Sequence, residues 1–540
     1  MDTLNEAVDA LDALSERALT KMRARFVVDG KAGAKELERQ QLRAHGLAYL
    51  HTETMACRQL AAWAERGGGE LEGRIAAAYV AELARQLRGG ISLGPLETVG
   101  MEELDLGADD LAATILRPEV VAFAQEHADA DAYIRIARQA ETSGFGDWGL
   151  SDDTLDDVRH EFAKFVDKEV VPRAQEIHRR DILIPMELID RMSELGVFGL
   201  TIPETYGGLG MSKVAMCVVT EELSRGYIGV GSLGTRAEIA AELILGGGTE
   251  AQRSRWLPKI ASGEVLPTAV FTEPNFGSDL AHLATRAERQ PDGSYLVYGN
   301  KTWITHGARA DLMTLLARTS PSEPGYKGLS MFLAPKTRRD PAPGEREFVD
   351  PGLTGTEIKV LGYRGMKEYE LSFDGFRVPP DALLGGVEGA GFKQLMRTFE
   401  SARIQTAARG VGLAQAALDD AMRYAQERVQ FGRPIVEFPR VARKLGRMIV
   451  QTMAARQLAF FAARQKDSGK RCDLEAGMAK LLATRTAWEA ADANVQIHGG
   501  NGYAEEYAAS RLLVDARVLS IFEGANEIQA HVIARRLLAG

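Results

Sequence analysis

The stretch FTEPNFGSD occupies residues 271–279, and KTWITHG follows it at residues 301–307. Two further stretches lie later in the sequence, QIHGGNGY at residues 496–503 and IFEGANEIQ at residues 521–529. Taken singly, each has an ordinary explanation, because Thr-Glu-Pro suits a turn and Trp303 suits the core of a β-domain. Their order and spacing across regions of different composition indicate a shared functional origin instead.

The sequence around these stretches changes character near residue 266. Short apolar runs at residues 295–298 and 329–333 alternate with Pro, Gly and Asp, and Asp292-Gly293 predicts a hairpin turn. Beyond residue 390 an apolar stripe at helical spacing returns, formed by Val441, Leu445, Met448, Ile449 and Met453. We therefore predict a mainly α protein with a central β-domain.

Four segments follow from these changes in periodicity. They are an extra N-terminal helical domain at residues 1–142, a helical domain at 151–266, the β-domain at 267–385 and a C-terminal helical bundle at 390–540. Residues 143–149, SGFGDWG, have the composition of a linker. Ser151, which precedes acidic residues, predicts the start of the first helix of the second segment.

One internal similarity links the first and last segments. Residues 54–61, TMACRQLA, nearly repeat residues 452–459, TMAARQLA, and Leu71-Glu72 can be matched to Leu474-Glu475 after a small gap. The N-terminal domain is then either a duplicate of part of the C-terminal bundle or a chance match between Ala-rich helices. The sequence leaves both explanations open.

Composition excludes several classes of protein. With 540 residues, 45% of them hydrophobic and 26% charged, the chain can bury several large cores. Its net charge of −10 gives no electrostatic support to a nucleic-acid partner. Three widely spaced cysteines show no metal-binding or redox spacing, so we predict no metal site and a reducing compartment.

The N-terminal residues and the apolar segments bear on location. The first residues are acidic and helix-forming, and no apolar run reaches the roughly 18 residues of a membrane span. We therefore expect no signal peptide, no membrane partner and a cytoplasmic location.

The four stretches together resemble those of the acyl-CoA dehydrogenase family, from residue 151 to the last residues of the sequence. The resemblance implies a helical domain, a β-barrel-like domain and a C-terminal four-helix bundle, with FAD between the last two. It also implies an oxidoreductase that dehydrogenates an acyl-CoA ester across Cα–Cβ and passes electrons to electron-transferring flavoprotein. Family members are dimers or tetramers, so a homodimer or homotetramer is expected.

The resemblance assigns residues of the β-domain to FAD. Phe271, Thr272 and Ser278 would lie around the flavin and hold it through hydroxyl and backbone donors. Trp303 would lie against the isoalloxazine, and Thr305 would bond near its reactive edge.

The helical bundle is expected to supply the remaining FAD contacts. Arg428, Gln430 and Phe431 match a segment that reaches the FAD of a neighbouring subunit. Gln496, Gly499 and Gly500 match a glycine-rich turn of the family. Because glycine has no Cβ, this turn lets the backbone approach the diphosphate. Pro439 and Ala525 depart from residues common in the family, which puts those two particular contacts in doubt.

By the resemblance, Glu523, which stands before Gly524 in the family's motif, is the catalytic base, whereas an isolated glutamate would be read as a surface or capping residue. The reaction needs a base for the weakly acidic α-proton and an acceptor for the β-hydrogen, and burial beside an apolar acyl chain raises the pKa of a carboxylate toward neutrality. Some family members carry the base in another helix, at a position that is Ala402 here. Because alanine cannot accept a proton, its presence favours Glu523.

The substrate is expected to be a short branched, dicarboxylic acyl-CoA. The whole chain, N-terminal domain included, resembles family members of the ethylmalonyl-CoA pathway. By the resemblance Arg403 lies near the substrate and its CoA, with Glu400 and Ser278 in the same neighbourhood. A buried free carboxylate requires a cation, for which Arg236, beside Thr235, is our hypothesis; the alternative is an exposed helix residue.

Three alternatives remain open at this point. The protein could be an acyl-CoA oxidase that uses O₂, a dehydrogenase of another short-chain acyl-CoA, or a helical scaffold without activity. The pattern GVGSLG at residues 229–234 also fits a dinucleotide-binding fingerprint, but a helix, not a strand, is predicted before it. We therefore reject a dinucleotide site there.

Overall fold

The computed structural model describes residues 2–28, 31–150, 152–341 and 344–539. Ser151, the predicted start of the second segment, lies outside these ranges. The chain forms two compact units, one of residues 1–158 with 406–540 and one of residues 159–405. The contacts therefore divide the chain differently from the four predicted segments, because helices of the N-terminal segment share a core with the C-terminal ones.

The N-terminal part of the chain is helical apart from two short hairpins. Its elements are α1 Asp2–Phe26, β1 Val27–Val28, β2 Lys31–Ala32, α2 Ala34–Arg39, α3 Gln41–Gly67, α4 Glu70–Gln86, β3 Ile91–Gly94, β4 Glu97–Val99, α5 Ala108–Ala112, α6 Pro118–His127, α7 Ala132–Ser143 and α8 Asp153–Phe165. The β3–β4 hairpin was not predicted from the sequence. Gly90 allows it, since its φ of 123° is a conformation that side chains disfavour.

The middle of the chain passes from helices into a sheet. Its elements are α9 Val171–Arg180, α10 Met186–Glu194, α11 Lys213–Gly226, α12 Ile228–Gly247, α13 Glu250–Ala261, β5 Pro267–Val270, β6 Arg286–Arg289, β7 Tyr295–Thr305, β8 Leu312–Arg318, β9 Leu329–Pro335, β10 Leu353–Ile358 and β11 Glu368–Val378. The glycine pattern at residues 229–234 lies inside α12 and follows helix α11, which confirms that it is no dinucleotide fingerprint.

Seven strands form one curled sheet in the order β10-β11-β7-β6-β8-β5, with β9 paired to β8. Strands β6 and β7 are antiparallel and flank the predicted turn at Asp292-Gly293, so that prediction is confirmed. The sheet closes over a buried core that includes Val270, Tyr295, Val297, Ile304, Met313, Leu315, Phe332, Tyr369, Leu371 and Phe373.

The last part of the chain is again helical. Its elements are α14 Gly391–Glu427, β12 Val429–Gln430, β13 Arg433–Pro434, α15 Pro439–Asp467, α16 Asp473–His498, α17 Ala508–Leu519 and α18 Asn526–Ala539. Pro439 occupies the first turn of α15, where its missing N–H leaves no helical hydrogen bond unmade. Among the described residues, no helix has both the length and the apolar composition that a membrane crossing requires.

The repeated octet lies on α3 and α15, which pack against each other. Continuing the alignment through α4 and α16 makes Tyr49 equivalent to Arg447, and Glu82 equivalent to Arg485. If the two helix pairs are related by a two-fold rotation, a contact between Arg447 and Glu82 requires an equivalent contact between Tyr49 and Arg485. Both contacts occur, because Arg447 lies 3.7 Å from Glu82 and the Arg485 guanidinium lies 5.6 Å from the centroid of the Tyr49 ring. This approximate two-fold relation supports duplication over chance.

Candidate active site

Trp303 lies at an irregularity in the pairing of β7 with β11. Ile304 pairs with Tyr369 and Lys301 with Leu371, so β7 has one residue more than its partner between these pairs. Trp303 takes up the difference with a left-handed φ of 59°, a conformation that costs a non-glycine residue about 1–2 kcal/mol. Its indole is 55% exposed, which makes it a flat apolar surface and not the core aromatic that an isolated tryptophan suggests.

Thr305 ends the same strand with its side chain buried. Its hydroxyl donates a 3.1 Å hydrogen bond to Glu368 Oε2, across the strand pair that joins β7 to β11. Its backbone oxygen accepts a 2.7 Å hydrogen bond from the hydroxyl of Thr268. Because the Thr305 hydroxyl donates to a carboxylate, its lone pairs are oriented to accept a hydrogen bond from a ligand.

The FTEP stretch is held beside β7 by a buried ion pair. Lys301 Nζ lies 3.0 Å from Glu273 Oε1 and also donates to the backbone oxygen of Phe271 at 2.8 Å. Burial alone would raise the pKa of Glu273, but the charge of Lys301 and N–H donors from Thr285 and Ala284 hold that pKa below its usual range. The stretch is therefore fixed to the strand that carries Trp303.

The predicted cofactor residues of this stretch differ in exposure. Thr272 and Phe271 are half-buried, and the backbone oxygen of Thr272 accepts a 2.9 Å hydrogen bond from the N–H of Thr302. Ser278 is exposed. The structure thus brings Thr272 next to the Trp303 bulge.

Thr235 and Arg236 are both buried on α12, so Arg236 is not an exposed helix residue.

His306 is also buried, and neither ring nitrogen has a hydrogen-bond partner among the described residues. Burial, together with the charges of Arg309, Arg338, Lys336 and Arg236, lowers the pKa of His306 to about 3. The imidazole is therefore neutral in a cationic surrounding.

The predicted substrate residues on α14 lie on its N-terminal half. Ala402, the alternative position of the base, is buried and carries no proton acceptor. Arg403 and Glu400 are half-buried, and the guanidinium of Arg403 lies 5.8 Å from the Phe399 ring centroid.

Glu523 lies in the loop between α17 and α18. Its φ of 52° is left-handed, and Gly524 follows with φ 88°, so two successive residues turn the chain sharply. The Glu523 side chain is only 12% exposed. A carboxylate placed in this way is withdrawn from water while it remains reachable by a ligand.

Arg409 on α14 is the main residue of this region that the sequence did not reveal. It is fully buried, and its Nη2 lies 3.8 Å from Glu523 Oε1. The same nitrogen donates to Thr406 Oγ1 at 2.7 Å, and the guanidinium lies 4.8 Å from the Phe522 ring centroid. The only sequence signal was a cation within an otherwise apolar helical stretch.

Two predicted cofactor segments meet at one end of the helical bundle. The β12–β13 hairpin follows α14, and Gly499-Gly500 follow α16. The helix ends are joined by Tyr424, whose ring stacks on His498 with centroids 3.9 Å apart and whose hydroxyl accepts a 3.0 Å hydrogen bond from Asn501. Arg428, Gln430 and Gln496 are exposed around this end.

The hairpin and the glycine pair both leave room for a further molecule. Phe431 and Gly432 form a two-residue turn with φ 50° and 80°, and the Phe431 ring is 94% exposed. Gly499 has φ 60°, and a Cβ added at Gly499 or Gly500 would meet no atom within 4 Å. The packing of this chain therefore does not explain the glycine at position 500, whereas a ligand approaching the backbone would.

Comparison with known proteins shows which family the chain resembles. Models of the acyl-CoA dehydrogenase N-terminal, middle and C-terminal domains match residues 152–264, 268–376 and 389–538. A (2S)-methylsuccinyl-CoA dehydrogenase from Cereibacter sphaeroides is 55% identical over 546 aligned residues, which span 99% of this chain and 98% of that protein. That match extends into the N-terminal segment, which the three domain models leave unmatched.

Solved structures agree with this assignment. Butyryl-CoA dehydrogenase from Megasphaera elsdenii superposes with a TM-score of 0.67 at 35% identity, covering 72% of this chain and 99% of that one. Glutaryl-CoA dehydrogenase from Mycobacterium smegmatis, in complex with FADH2, gives 0.65 at 28% identity over 72% and 95% of the two chains. The chain belongs to the acyl-CoA dehydrogenase family.

Proposed function

We propose that the protein oxidises (2S)-methylsuccinyl-CoA to mesaconyl-CoA. The observation that carries the proposal is the pairing of Glu523 with the fully buried Arg409, which sets a proton acceptor beside a cation. The similarity to the Cereibacter protein supports the same substrate. The family activity itself, dehydrogenation of an acyl-CoA ester, does not depend on this finer assignment.

Glu523 is the proposed base. It is withdrawn from water by the turn at residues 523–524, which limits its solvation, and it takes the proton from the carbon next to the thioester. A backbone N–H at the base polarises the thioester carbonyl, which stabilises the negative charge that develops as the proton leaves.

The residues present fit FAD. Trp303 offers an exposed ring to stack on, Thr305 offers an oriented hydroxyl, and Gly500 leaves open space along exposed backbone. When bound, FAD supplies the acceptor for the hydride from the β-carbon. Phe271, Thr272 and Ser278 are proposed to surround the flavin, while Arg428, Gln430, Phe431, Gln496 and Gly499 are proposed to line the rest of the cofactor.

Arg409 is proposed to attract the free carboxylate of the substrate by its charge, from its buried position behind Glu523. In a succinyl chain the carboxylate is attached directly to the β-carbon, so its cation must lie close to the base that removes the α-proton. A nitrogen 3.8 Å from the Glu523 oxygen meets that requirement. Each additional methylene would carry the carboxylate further from Arg409, which argues against longer dicarboxylic chains.

Arg236, with Thr235, is the cation predicted from the sequence for the carboxylate and stays a candidate beside Arg409, and Arg403 and Glu400 are proposed to lie near the substrate and its CoA. Arg236 is buried on α12, and a buried guanidinium suits an anionic ligand because charge-assisted hydrogen bonds are strong in such surroundings.

We further propose that electrons pass to electron-transferring flavoprotein and that the enzyme is at least a homodimer. The β12–β13 hairpin supports the second of these points, since Val429 and Phe431 are both exposed on it and clustered exposed apolar side chains mark contact surfaces.

The test is a substrate screen of the purified flavoprotein with an artificial electron acceptor. Methylsuccinyl-CoA should be preferred over succinyl-CoA, butyryl-CoA and glutaryl-CoA, and the reduced enzyme should react slowly with O₂. In Arg409→Met, kcat/KM for methylsuccinyl-CoA should fall by about 30- to 5,000-fold, the usual cost of removing one partner of a buried ion pair, with a much smaller effect on butyryl-CoA. An equal loss for both substrates would reject the role of Arg409, and fast reoxidation in air would point to an oxidase.

A further inference from the structure

Lys480 is a fully buried lysine on α16, on a helix face that it shares with Thr484 and small side chains such as Ala476 and Ala483. Withdrawing an ammonium group from water costs several kcal/mol unless hydrogen bonds replace its hydration. The position of its three N–H donors is therefore informative about what the residue does.

The ammonium group points at the loop that carries Glu523. Lys480 Nζ donates to the backbone oxygen of Gly524 at 2.8 Å and to Asn526 Oδ1 at 3.1 Å. Thr484, one helical turn further along α16, donates to the same Asn526 oxygen at 3.1 Å. One helix thus holds the carbonyl of Gly524, the residue after the base, and the side chain of Asn526, the residue that begins α18.

A second buried side chain holds the loop from the other direction. Gln529 is fully buried on α18, and its Nε2 lies 3.3 Å from the backbone oxygen of Glu523 and 3.1 Å from that of Gly524. A Cβ on Gly524 would come within 2.3 Å of that nitrogen, so only glycine allows the approach. Both carbonyls after the Glu523 side chain therefore accept hydrogen bonds from fixed donors.

These contacts matter because the conformation they hold is unfavourable by itself. Glu523 has φ 52°, which a non-glycine residue adopts only when its surroundings impose it. Among the described residues the loop pairs with no strand, and a 3.1 Å hydrogen bond from the Asn526 N–H to the Ser520 backbone oxygen joins its ends. Lys480 on α16 and Gln529 on α18 add donors to the carbonyls of the turn itself.

We infer that Lys480 is a positioning residue for the catalytic base. Its ammonium fixes the Gly524 carbonyl and thereby the peptide that determines where the Glu523 carboxylate points. The inference rests on the proposed role of Glu523. Lys480 itself touches neither substrate nor flavin in this role, so its loss should affect proton removal and leave substrate binding intact.

The test is Lys480→Met in the full-length flavoprotein, which keeps the length of the side chain and removes its donors. Misplacing a reacting group by about 1 Å can cost about 100-fold, so we expect kcat to fall about 10- to 100-fold with KM changed less than about twofold. The primary isotope effect on kcat with substrate deuterated at the α-carbon should increase, because proton removal becomes more rate-limiting. Flavin content should stay the same.

Lys213→Met is the matched control. Lys213 is a half-buried lysine in the other compact unit and is hydrogen-bonded to Glu238 and Glu242, outside the proposed site. Its loss should destabilise the protein while kcat per bound flavin stays unchanged. A merely structural Lys480 would behave in the same way, and such a result would overturn the inference.

Gln529→Leu provides a second route if Lys480→Met does not fold. It removes the other donor to Gly524 and should also lower kcat, with a raised isotope effect; an unchanged kcat would count against the inference. Full activity in Glu523→Gln would instead refute the proposed function. An inactive Glu523→Gln combined with a fully active Lys480→Met would refute only the positioning role.

Discussion

Each compact unit contains one segment in which a fully buried lysine stands beside a residue of positive φ. In the sheet, Lys301 donates to the Phe271 carbonyl at 2.8 Å, two residues before Trp303 with φ 59°. In the bundle, Lys480 donates to the Gly524 carbonyl at 2.8 Å, next to Glu523 with φ 52°. Both segments place a buried lysine near strained backbone, but only Lys480 donates to the residue next to the strained one, whereas Lys301 anchors its own strand to Phe271.

The difference lies in what else holds each segment. Trp303 belongs to a strand that pairs on both sides, and its lysine is balanced by the Glu273 carboxylate. The Glu523 loop is outside any ladder, and its lysine also contacts the uncharged oxygen of Asn526. We therefore expect changes in the sheet segment to appear mainly in stability and changes in the loop to appear mainly in rate.

The largest expected effect comes from the loop. Glu523→Gln should lower kcat by about 10⁴-fold, the upper end of what a general base contributes, because an amide cannot accept the α-proton. Stopped-flow measurement of flavin reduction reports this step directly. Glu527→Gln, an exposed neighbour on α18, should keep the parental rate. A parental rate in Glu523→Gln would be incompatible with our mechanism.

Loss of Lys301 from the sheet segment should lower the stability of the protein. Lys301→Met leaves the buried Glu273 carboxylate without its cation, so the free energy of unfolding should drop by about 3–5 kcal/mol. The double variant Lys301→Met/Glu273→Gln should recover part of that loss. Denaturant titration of all three variants measures it, and equal losses in the single and double variants would show that the ion pair is not the source.

The motifs predicted the family fold because they fall in both the sheet and the helices, and the Asp292-Gly293 turn was predicted from local chemistry alone. The contacts of Thr305 could not be predicted. Its partner Glu368 is 63 residues away, and only the strand register brings the two together. Register is a property of the whole sheet, which a local motif does not encode.

The burial and surroundings of two arginines also could not be predicted from the sequence. Arg236 could be an exposed helix residue as far as periodicity shows, and it is buried. Arg409 attracted no prediction because its importance depends on the loop at residue 523, which is far away in sequence. In both cases tertiary packing, not helix pattern, decides what surrounds the cation.

His306 is a further buried titratable group of the sheet segment, and it makes the stability of the protein depend on pH. Burial and neighbouring cations hold the pKa of His306 at about 3, whereas an unfolded histidine has a pKa near 6.5. Below pH 6.5 the unfolded chain binds a proton that the folded chain does not, so stability falls as the pH drops toward 3. Relative to pH 7.5, this group should cost about 3 kcal/mol at pH 4.5.

His306→Asn should remove that dependence. Denaturant titrations of parent and variant between pH 7.5 and 4.5 should show the difference in unfolding free energy moving in favour of the variant as the pH falls. A difference that stays constant with pH would mean that the folded protein accepts the proton on His306.

The smallest expected effect also comes from the sheet. Thr305→Val removes the hydroxyl that donates to Glu368 and that we propose bonds to the flavin, and a single hydrogen bond contributes about 1 kcal/mol net. FAD binding to the apoprotein should therefore weaken roughly fivefold, as measured by flavin fluorescence titration. Thr305→Ser, which keeps the hydroxyl, should bind FAD as the parent does. If valine and serine behaved alike, the strand alone would position the flavin and the hydroxyl would have no part in holding it.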